Sequence, residues 1–393
     1  MKGKRKYTAD LPRLPFEFVE DEAGSADVAD IADIADMANV ANVANVANVA
    51  NVANVANDFD NSDNSDNSDF SDFSDNSDFR FKAPPEPVPG PRKLMEKRLS
   101  AAPPPNPDLR LRYMSLGSGS SGNCCYLGTA RTGIIIDAGV RVDTVENALA
   151  ASGIRMSQVK GVLLTHDHSD HVKYAYTLLR NNKHLKLFCT NRVLNGILRR
   201  HSISKRIKDY HVPIFKEIPF KLCDFEVTAF EVPHDGSDNM GFSIDYEGRR
   251  FVIATDLGAV QERARHYISG ANYLMLESNY DSRMLALGPY PEYLKARIRT
   301  DHGHMDNEDT AAFLSEIFTP RLSHIFLCHL SQDNNTPEKA LDVVRGALLA
   351  RGVSVGNCEE TLADRAADVQ LMALPRFEPT RLIMLMPPKE RLC

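Results

Sequence analysis

Four side chains able to bind a metal fall within six positions: His166, His168, Asp170 and His171 of His166-Asp167-His168-Ser169-Asp170-His171. They directly follow the apolar run Gly161-Val-Leu-Leu-Thr165. A regular strand alternates its side chains between two faces, so all four cannot reach one ion from a strand. A strand-to-helix turn lets them diverge. His166 and His168 then serve one ion, while Asp170 and His171, at the start of the next helix, serve a second. Imidazole and carboxylate together suit zinc, with manganese or iron as alternatives. Two such ions about 3.5–4 Å apart can share one hydroxide and lower its pKa toward neutrality.

More candidate ligands sit at the ends of apolar strands. Phe225–Val232 leads to His234, Phe251–Thr255 to Asp256, Ile325–Cys328 to His329, and Ile134–Ile136 to Asp137. A lone histidine at a strand end usually reads as a hydrogen-bonded surface residue. Core or surface histidines have no reason to recur in this phase, and the recurrence carries residues distant in sequence to one edge of the sheets. Asp137 is expected to brace a ligand histidine through a hydrogen bond, the plainer alternative being a turn residue.

These positions need a scaffold. Apolar runs predict strands over 110–116, 124–127, 133–137, 161–165, 186–190, 226–232, 241–246, 249–255, 273–277, 325–328 and 369–374. Amphipathic segments predict helices over 141–152, 307–318 and 337–351. In the last, Thr336 caps, Pro337 takes the first position and Gly352 follows the end. Its apolar stripe is Ala340, Val343, Val344, Ala347 and Leu348. Glu247-Gly248 between two strand patterns predicts a hairpin. Hairpins mixed with helices point to an α/β fold with sheets covered by helices, an αββα sandwich being one solution.

The domain is expected to span 109–377, with 378–393 as a C-terminal tail. Residues 24–57 repeat in threes (Ala-Asp-Val/Ile, then Ala-Asn-Val), and 58–79 repeat Asn-Ser-Asp and Phe-Ser-Asp. A period of three matches neither helix nor strand, so no face gathers enough apolar area to offset chain entropy, and a disordered low-complexity tract is expected. The Pro-rich stretch 83–107 reads as a stiff linker completing the 1–108 region. Residues 1–100 hold 11 basic and 19 acidic side chains, leaving 35 basic and 34 acidic for the rest. The net charge of −7 therefore belongs to the tract and does not argue against a polyanionic substrate. Seven cysteines without a Cys-x-x-Cys spacing suggest reduced thiols and a cytoplasmic setting. The basic start lacks a following apolar stretch, and no run of eighteen apolar residues exists, so neither a secretory signal nor a membrane span is expected.

The ordered set Asp137, His166–His171, His234, Asp256 and His329 resembles the five motifs of the metallo-β-lactamase fold, over approximately residues 109–376. The resemblance implies that His166, His168 and His234 bind one metal, that Asp170, His171 and His329 bind the other, and that Asp256 bridges them. Leu116–Asn123 (LGSGSSGN), Gly303–Asn307 (GHMDN) and Cys328–Asn335 (CHLSQDNN) are similar to the WalJ/YycJ-type branch, which implies exonuclease activity on DNA and kinship with tRNA 3′-processing nucleases. Tyr174-Ala175 departs from the branch, where a small residue usually follows the cluster. The repeat tract has no counterpart there.

The chemistry so implied is in-line attack on phosphorus by a metal-bridged hydroxide, with Asp170 orienting the nucleophile as well as ligating. His304 is the candidate for protonating the leaving oxygen or gripping phosphate, the alternative being a cap for the helix at Asn307. The Gly117–Asn123 loop lacks the lysine of a nucleotide-binding P-loop and reads as a tight strand connection beside the site. Arg192, Arg199, Arg200, Lys205, Arg206 and Lys208 offer either a nucleic-acid backbone surface or an ordinary solvated face. The expected function is therefore a dinuclear phosphodiesterase acting on nucleic acid, a 5′-to-3′ DNA exonuclease. The alternatives are a small-molecule hydrolase of the same fold (thioester, lactone or small phosphodiester), a tRNA-processing-like ribonuclease, and a non-catalytic metal-binding protein.

Overall fold

A computed structural model describes residues 109–359, 361 and 366–385. The repeat tract and linker expected at 1–108 lie outside the described residues, as does the end of the chain from 386. The strands are β1 (Leu111–Gly117), β2 (Cys124–Gly128), β3 (Gly133–Ile136), β4 (Val159–Leu163), β5 (Lys186–Cys189), β6 (His211–Pro213), β7 (Phe220–Leu222), β8 (Phe225–Glu231), β9 (Met240–Tyr246), β10 (Arg249–Ala254), β11 (Tyr273–Glu277), β12 (His324–Cys328), β13 (Val355–Gly356), β14 (Val369–Ala373) and β15 (Ile383–Leu385). The helices are α1 (Val142–Ala151), α2 (Ser169–Val172), α3 (Ala175–Asn181), α4 (Asn191–Arg200), α5 (Glu262–Ile268), α6 (Ser282–Leu287), α7 (Glu292–Ile298), α8 (Asn307–Ile317) and α9 (Pro337–Ala350).

Two sheets pack face to face, ordered β15-β1-β2-β3-β4-β5-β6 and β13-β14-β12-β11-β10-β9-β8-β7. Strands β10, β11 and β12 read as continuous apolar runs because both of their faces are covered. Phe251 and Ile253, Tyr273 and Met275, and Phe326 and Cys328 join the core between the sheets. The intervening Val252 and Ala254, Leu274 and Leu276, and Ile325 and Leu327 pack under α5, α8 and α9. Across the interface the Tyr113 ring lies 5.1 Å from Phe251 and 4.5 Å from Phe326, and its hydroxyl donates to Met275 Sδ at 3.4 Å. On the other side α1, α3 and α4 bury Val145, Leu149, Leu178, Val193 and Ile197 against the first sheet. The layers are therefore α, β, β, α.

In α9, Thr336 Oγ1 accepts from Lys339 N at 3.2 Å, and Ala340, Val344 and Leu348 form the buried stripe with Val343 and Ala347 at its margin. In the β9–β10 hairpin, Glu247 and Gly248 both have positive φ (48° and 72°), which lets the turn follow the strand twist. The C-terminal boundary moves outward from residue 377. Leu111, Arg112 and Tyr113 pair antiparallel with Leu385, Met384 and Ile383, and Thr380 N donates to Ser115 O at 2.8 Å. Only three residues of alternating burial form β15, too short a run to stand out as a strand in sequence.

Topology explains why ligands gather. Strands β3 and β4 run parallel, as do β10, β11 and β12. Strand β8 pairs antiparallel with β9, which pairs antiparallel with β10, so β8 points the same way as β10. Within each sheet the strands that precede Asp137 and His166, or His234, Asp256 and His329, end on one side. Ligands of such sheets gather outside the carboxyl ends of the strands.

Candidate metal centre

Asp137, Asp256 and His329 each follow an apolar strand in the left-handed region, with φ of 58°, 51° and 53°. That conformation costs a non-glycine residue about 1–3 kcal/mol and concentrates at functional sites. Here it turns each side chain off the strand and into one cluster. Helix α2 places Asp170 and His171, both poorly accessible, on its single turn. Gly139 allows the backbone of the β3–α1 connection to pass behind them. A Cβ at Gly139 would lie 1.5 Å from Asp170 O and 2.8 Å from Asn123 N. Because these obstacles are backbone, Gly139→Ala is expected to destabilise the protein by about 1–3 kcal/mol or more in urea unfolding. By contrast Gly346→Ala, on α9 with nothing within 4 Å, should stabilise by about 0.5–1 kcal/mol. Equal effects of the two would refute this account of Gly139.

Among the described residues four groups could hold a metal ion: His166, His168 and His234; Asp170, His171 and His329; His166, His171 and Asp256; and Asp256, Glu277, His304 and His329. In the first, His234 Nε2 faces His168 Nδ1 at 3.3 Å. In the second, Asp170 Oδ2 lies 3.3 Å from His171 Nε2 and 3.5 Å from His329 Nε2. Asp256 lies against the second group, with Oδ2 at 3.0 Å from His171 Nε2 and Oδ1 at 2.8 Å from His329 Nδ1, and also groups with His166 of the first. All seven residues singled out in sequence as ligands are thus brought together.

The opposite nitrogens of these rings are tied down. His171 Nδ1 donates to Asp137 Oδ2 at 2.7 Å, and Asp137 also accepts from Thr165 N at 2.9 Å. His166 Nδ1 lies 3.1 Å from Thr165 Oγ1. His234 Nδ1 donates to Gly303 O at 3.1 Å, and His329 Nδ1 to Glu277 Oε1 at 2.9 Å. The inward Nε2 atoms of His166 and His329 are buried without a hydrogen-bond partner. A buried orphan of this kind costs about 1–3 kcal/mol, and an ion in the cluster would relieve it. Imidazoles fixed at one nitrogen and open at the other fit divalent cations.

Electrostatics agree with that fit at His166 and His234. Burial, reinforced by His171 and His168, holds His166 far below the usual histidine range. Burial and the His168 ring bring His234 down to about 4. Both are therefore neutral and able to ligate. Burial opposes ionisation of Asp170, but His171 and His329 outweigh it and hold the carboxyl well below its ordinary value. For Asp256, His329 and His171 likewise prevail over burial. Burial would lower His171 and His329, yet the surrounding carboxylates, Asp170 and Asp256 foremost, raise both.

Several residues at the centre went unnoticed in the sequence. Glu277, fully buried at the end of β11, accepts from His304 Nδ1 at 2.8 Å, from His329 Nδ1, and from Leu257 N at 2.9 Å. It ends its strand as Asp137 and Asp256 follow theirs. Asn123 Nδ2 donates to Asp170 Oδ2 at 2.8 Å, and Ser118 Oγ accepts from His329 N at 2.9 Å. The Gly117–Asn123 loop therefore lines the centre. Asp167, between two ligands in sequence, points away and accepts from Ser237 N at 2.7 Å, anchoring the loop that carries His234. His304 does not cap α8. That role belongs to Asp306, whose side chain accepts from Glu308 N at 2.6 Å.

The helix-covered pair of sheets with a histidine–carboxylate centre at one edge defines a metal-dependent hydrolase. Residues 132–325 match the model of a beta-lactamase superfamily domain, and the chain belongs to that superfamily. Over 256 residues it is 34% identical to exodeoxyribonuclease YycJ of Bacillus anthracis, covering 64% of this chain and 94% of that protein. Over 250 residues it is 30% identical to exodeoxyribonuclease WalJ of Streptococcus pneumoniae, covering 63% and 92%. Among solved structures, the metallo-β-lactamase-fold protein YhfI of Bacillus subtilis aligns at 13% identity with a TM-score of 0.48, covering 69% of this chain and 98% of that one. Divalent metal binding follows from the superfamily.

Proposed function

We propose that the chain is a nuclease, a dinuclear metal-dependent phosphodiesterase that degrades DNA from the 5′ end, and that its native metal is zinc. The observation that carries a polyanionic substrate is the basic stretch flanking the centre. Arg192, Arg199, Lys205, Arg206 and Lys208 are exposed, and among the described residues none has a carboxylate within ion-pair distance. Arg200 reaches toward the ligand turn itself, 3.7 Å from Asp167. Cations without acidic partners beside a catalytic centre attract a phosphate backbone. The two relatives named exodeoxyribonuclease favour DNA and removal from an end.

In this reading His166, His168 and His234 would hold one ion and Asp170, His171 and His329 the second, with Asp256 available to both. Divalent ions held there would supply Lewis-acid chemistry and an activated water. Asp170, fixed by Asn123, orients the nucleophile, and Asp137 fixes the ring of His171. Burial would lower the pKa of His304, but Glu277 outweighs it and raises it. With Nδ1 engaged by Glu277, Nε2 of His304 is left to give its proton to the leaving oxygen. Free thiols at Cys124, Cys125, Cys189, Cys223 and Cys328 suit a reducing compartment, the cytoplasm. No helix among the described residues is long and apolar enough to cross a membrane.

Purified protein with manganese or zinc is expected to shorten end-labelled duplex DNA progressively, releasing label first from the 5′ end. Intact DNA under several metals, together with brisk hydrolysis of a thioester or lactone, would contradict the proposal.

A further inference from the structure

Behind the Gly117–Asn123 loop lies an open cavity of about 200 Å³ whose walls include Gly122, Gly139, Arg141, Tyr174, Arg376 and Phe377. It is smaller than the roughly 300–1,000 Å³ of a pocket that takes a whole ligand, and suits one planar ring. It shares its wall with the metal centre. Gly139 packs directly on the Asp170 carbonyl, and Tyr174 N donates to Ala138 O at 2.9 Å, one residue beyond Asp137. Arg376 donates through Nη2 to Leu330 O at 2.9 Å, next to His329. A chain substrate whose scissile group sits at the metals therefore has its adjoining unit within reach of this cavity.

The lining has a particular chemistry. Phe377 is 60% exposed, with the Arg376 guanidinium 5.6 Å from its ring centroid. Tyr174, the bulky residue that departs from the family pattern, is half-buried at the cavity wall. Arg141 rests on Asp143 at 2.8 Å with both side chains largely in water, a pair that is cheaply broken. Aromatic faces beside guanidinium groups stack nucleobases without regard to sequence, and the cations take the adjacent phosphate.

We propose that this cavity is a nucleotide subsite. It takes the base of the nucleotide next to the scissile phosphate between Phe377 and Tyr174, and Arg141 leaves Asp143 to bind the following phosphate. The inference rests on the nuclease reading above.

The chain contains no tryptophan, so Phe377→Trp in the full-length protein installs a single reporter. In EDTA, titration with a short oligothymidylate is expected to quench its emission saturably, and adding Arg141→Ala should weaken that response about tenfold. Turnover supplies a second readout: Phe377→Ala should raise KM for single-stranded DNA about tenfold with a smaller change in kcat. Unchanged emission with an oligonucleotide that the same protein binds by anisotropy, or hydrolyses once metal is restored, would overturn the subsite while leaving the nuclease reading intact. Absence of both binding and hydrolysis would reject the nuclease reading, and this proposal with it.

Discussion

Replacing Asp256 by alanine should lower kcat/KM on DNA by about a thousandfold or more, a loss of about 4 kcal/mol of transition-state stabilisation. Asp256 shares a candidate ligand group with His166 of the first half and His171 of the second, and within the second half its contacts are short. One of its oxygens lies 3.0 Å from His171 Nε2 and the other 2.8 Å from His329 Nδ1, and Thr255 Oγ1 donates to it at 3.0 Å. Alanine removes a carboxylate that two candidate ligand groups share and leaves two raised histidines short of a counter-charge. The substitution should also reduce bound metal while circular dichroism stays unchanged, because the strand beneath Asp256 is held by Phe251, Val252 and Ile253 in two separate cores. Activity within tenfold of the parent would remove Asp256 from the catalytic centre.

Glu277→Gln should have the next largest effect, a loss of about 10–100-fold in metal affinity or activity, the range seen when a group that orients a ligand is altered. The glutamate accepts from His329 and His304 through the same oxygen, Oε1, while Oε2 holds Leu257 N. Glutamine keeps the volume but withdraws the negative charge that raises the pKa of His304 and orients His329. The pH profile separates this role from packing. If Glu277 sustains the raised pKa of His304, the alkaline limb of kcat should move to lower pH in the variant, since the acid form is then lost earlier. A profile and metal affinity matching the parent would reduce Glu277 to a packing residue.

Much of this centre was legible because metal chemistry restricts residue types and strands restrict phase. The apolar runs before Asp137, His166, His234, Asp256 and His329 gave both the strands and the edge where they end. The elements that escaped notice are those with weak periodicity. Helix α2 has four residues and is specified by ligand geometry, and β6, β7 and β13 have two or three residues each. The strand β15 is defined by its partner β1. Helices α6 and α7 rest on a small separate cluster of Tyr280, Leu285 and Ile298, too few apolar positions to announce a helix. Glu277 was missed for another reason. A glutamate ending a strand looks like a solvated terminus until the fold shows it fully buried beneath two histidines.

The central claim is that residues from six strand ends and one helical turn converge to hold two cations. Metal content after equilibrium dialysis against zinc or manganese tests it most directly, with His166→Ala/His234→Ala and His171→Ala/His329→Ala as separate double variants. The parent should retain two ions per chain, and each double variant should lose the ion of its own half first. Retention of fewer than one ion by the parent, or equal content in parent and both variants, would contradict the shared centre.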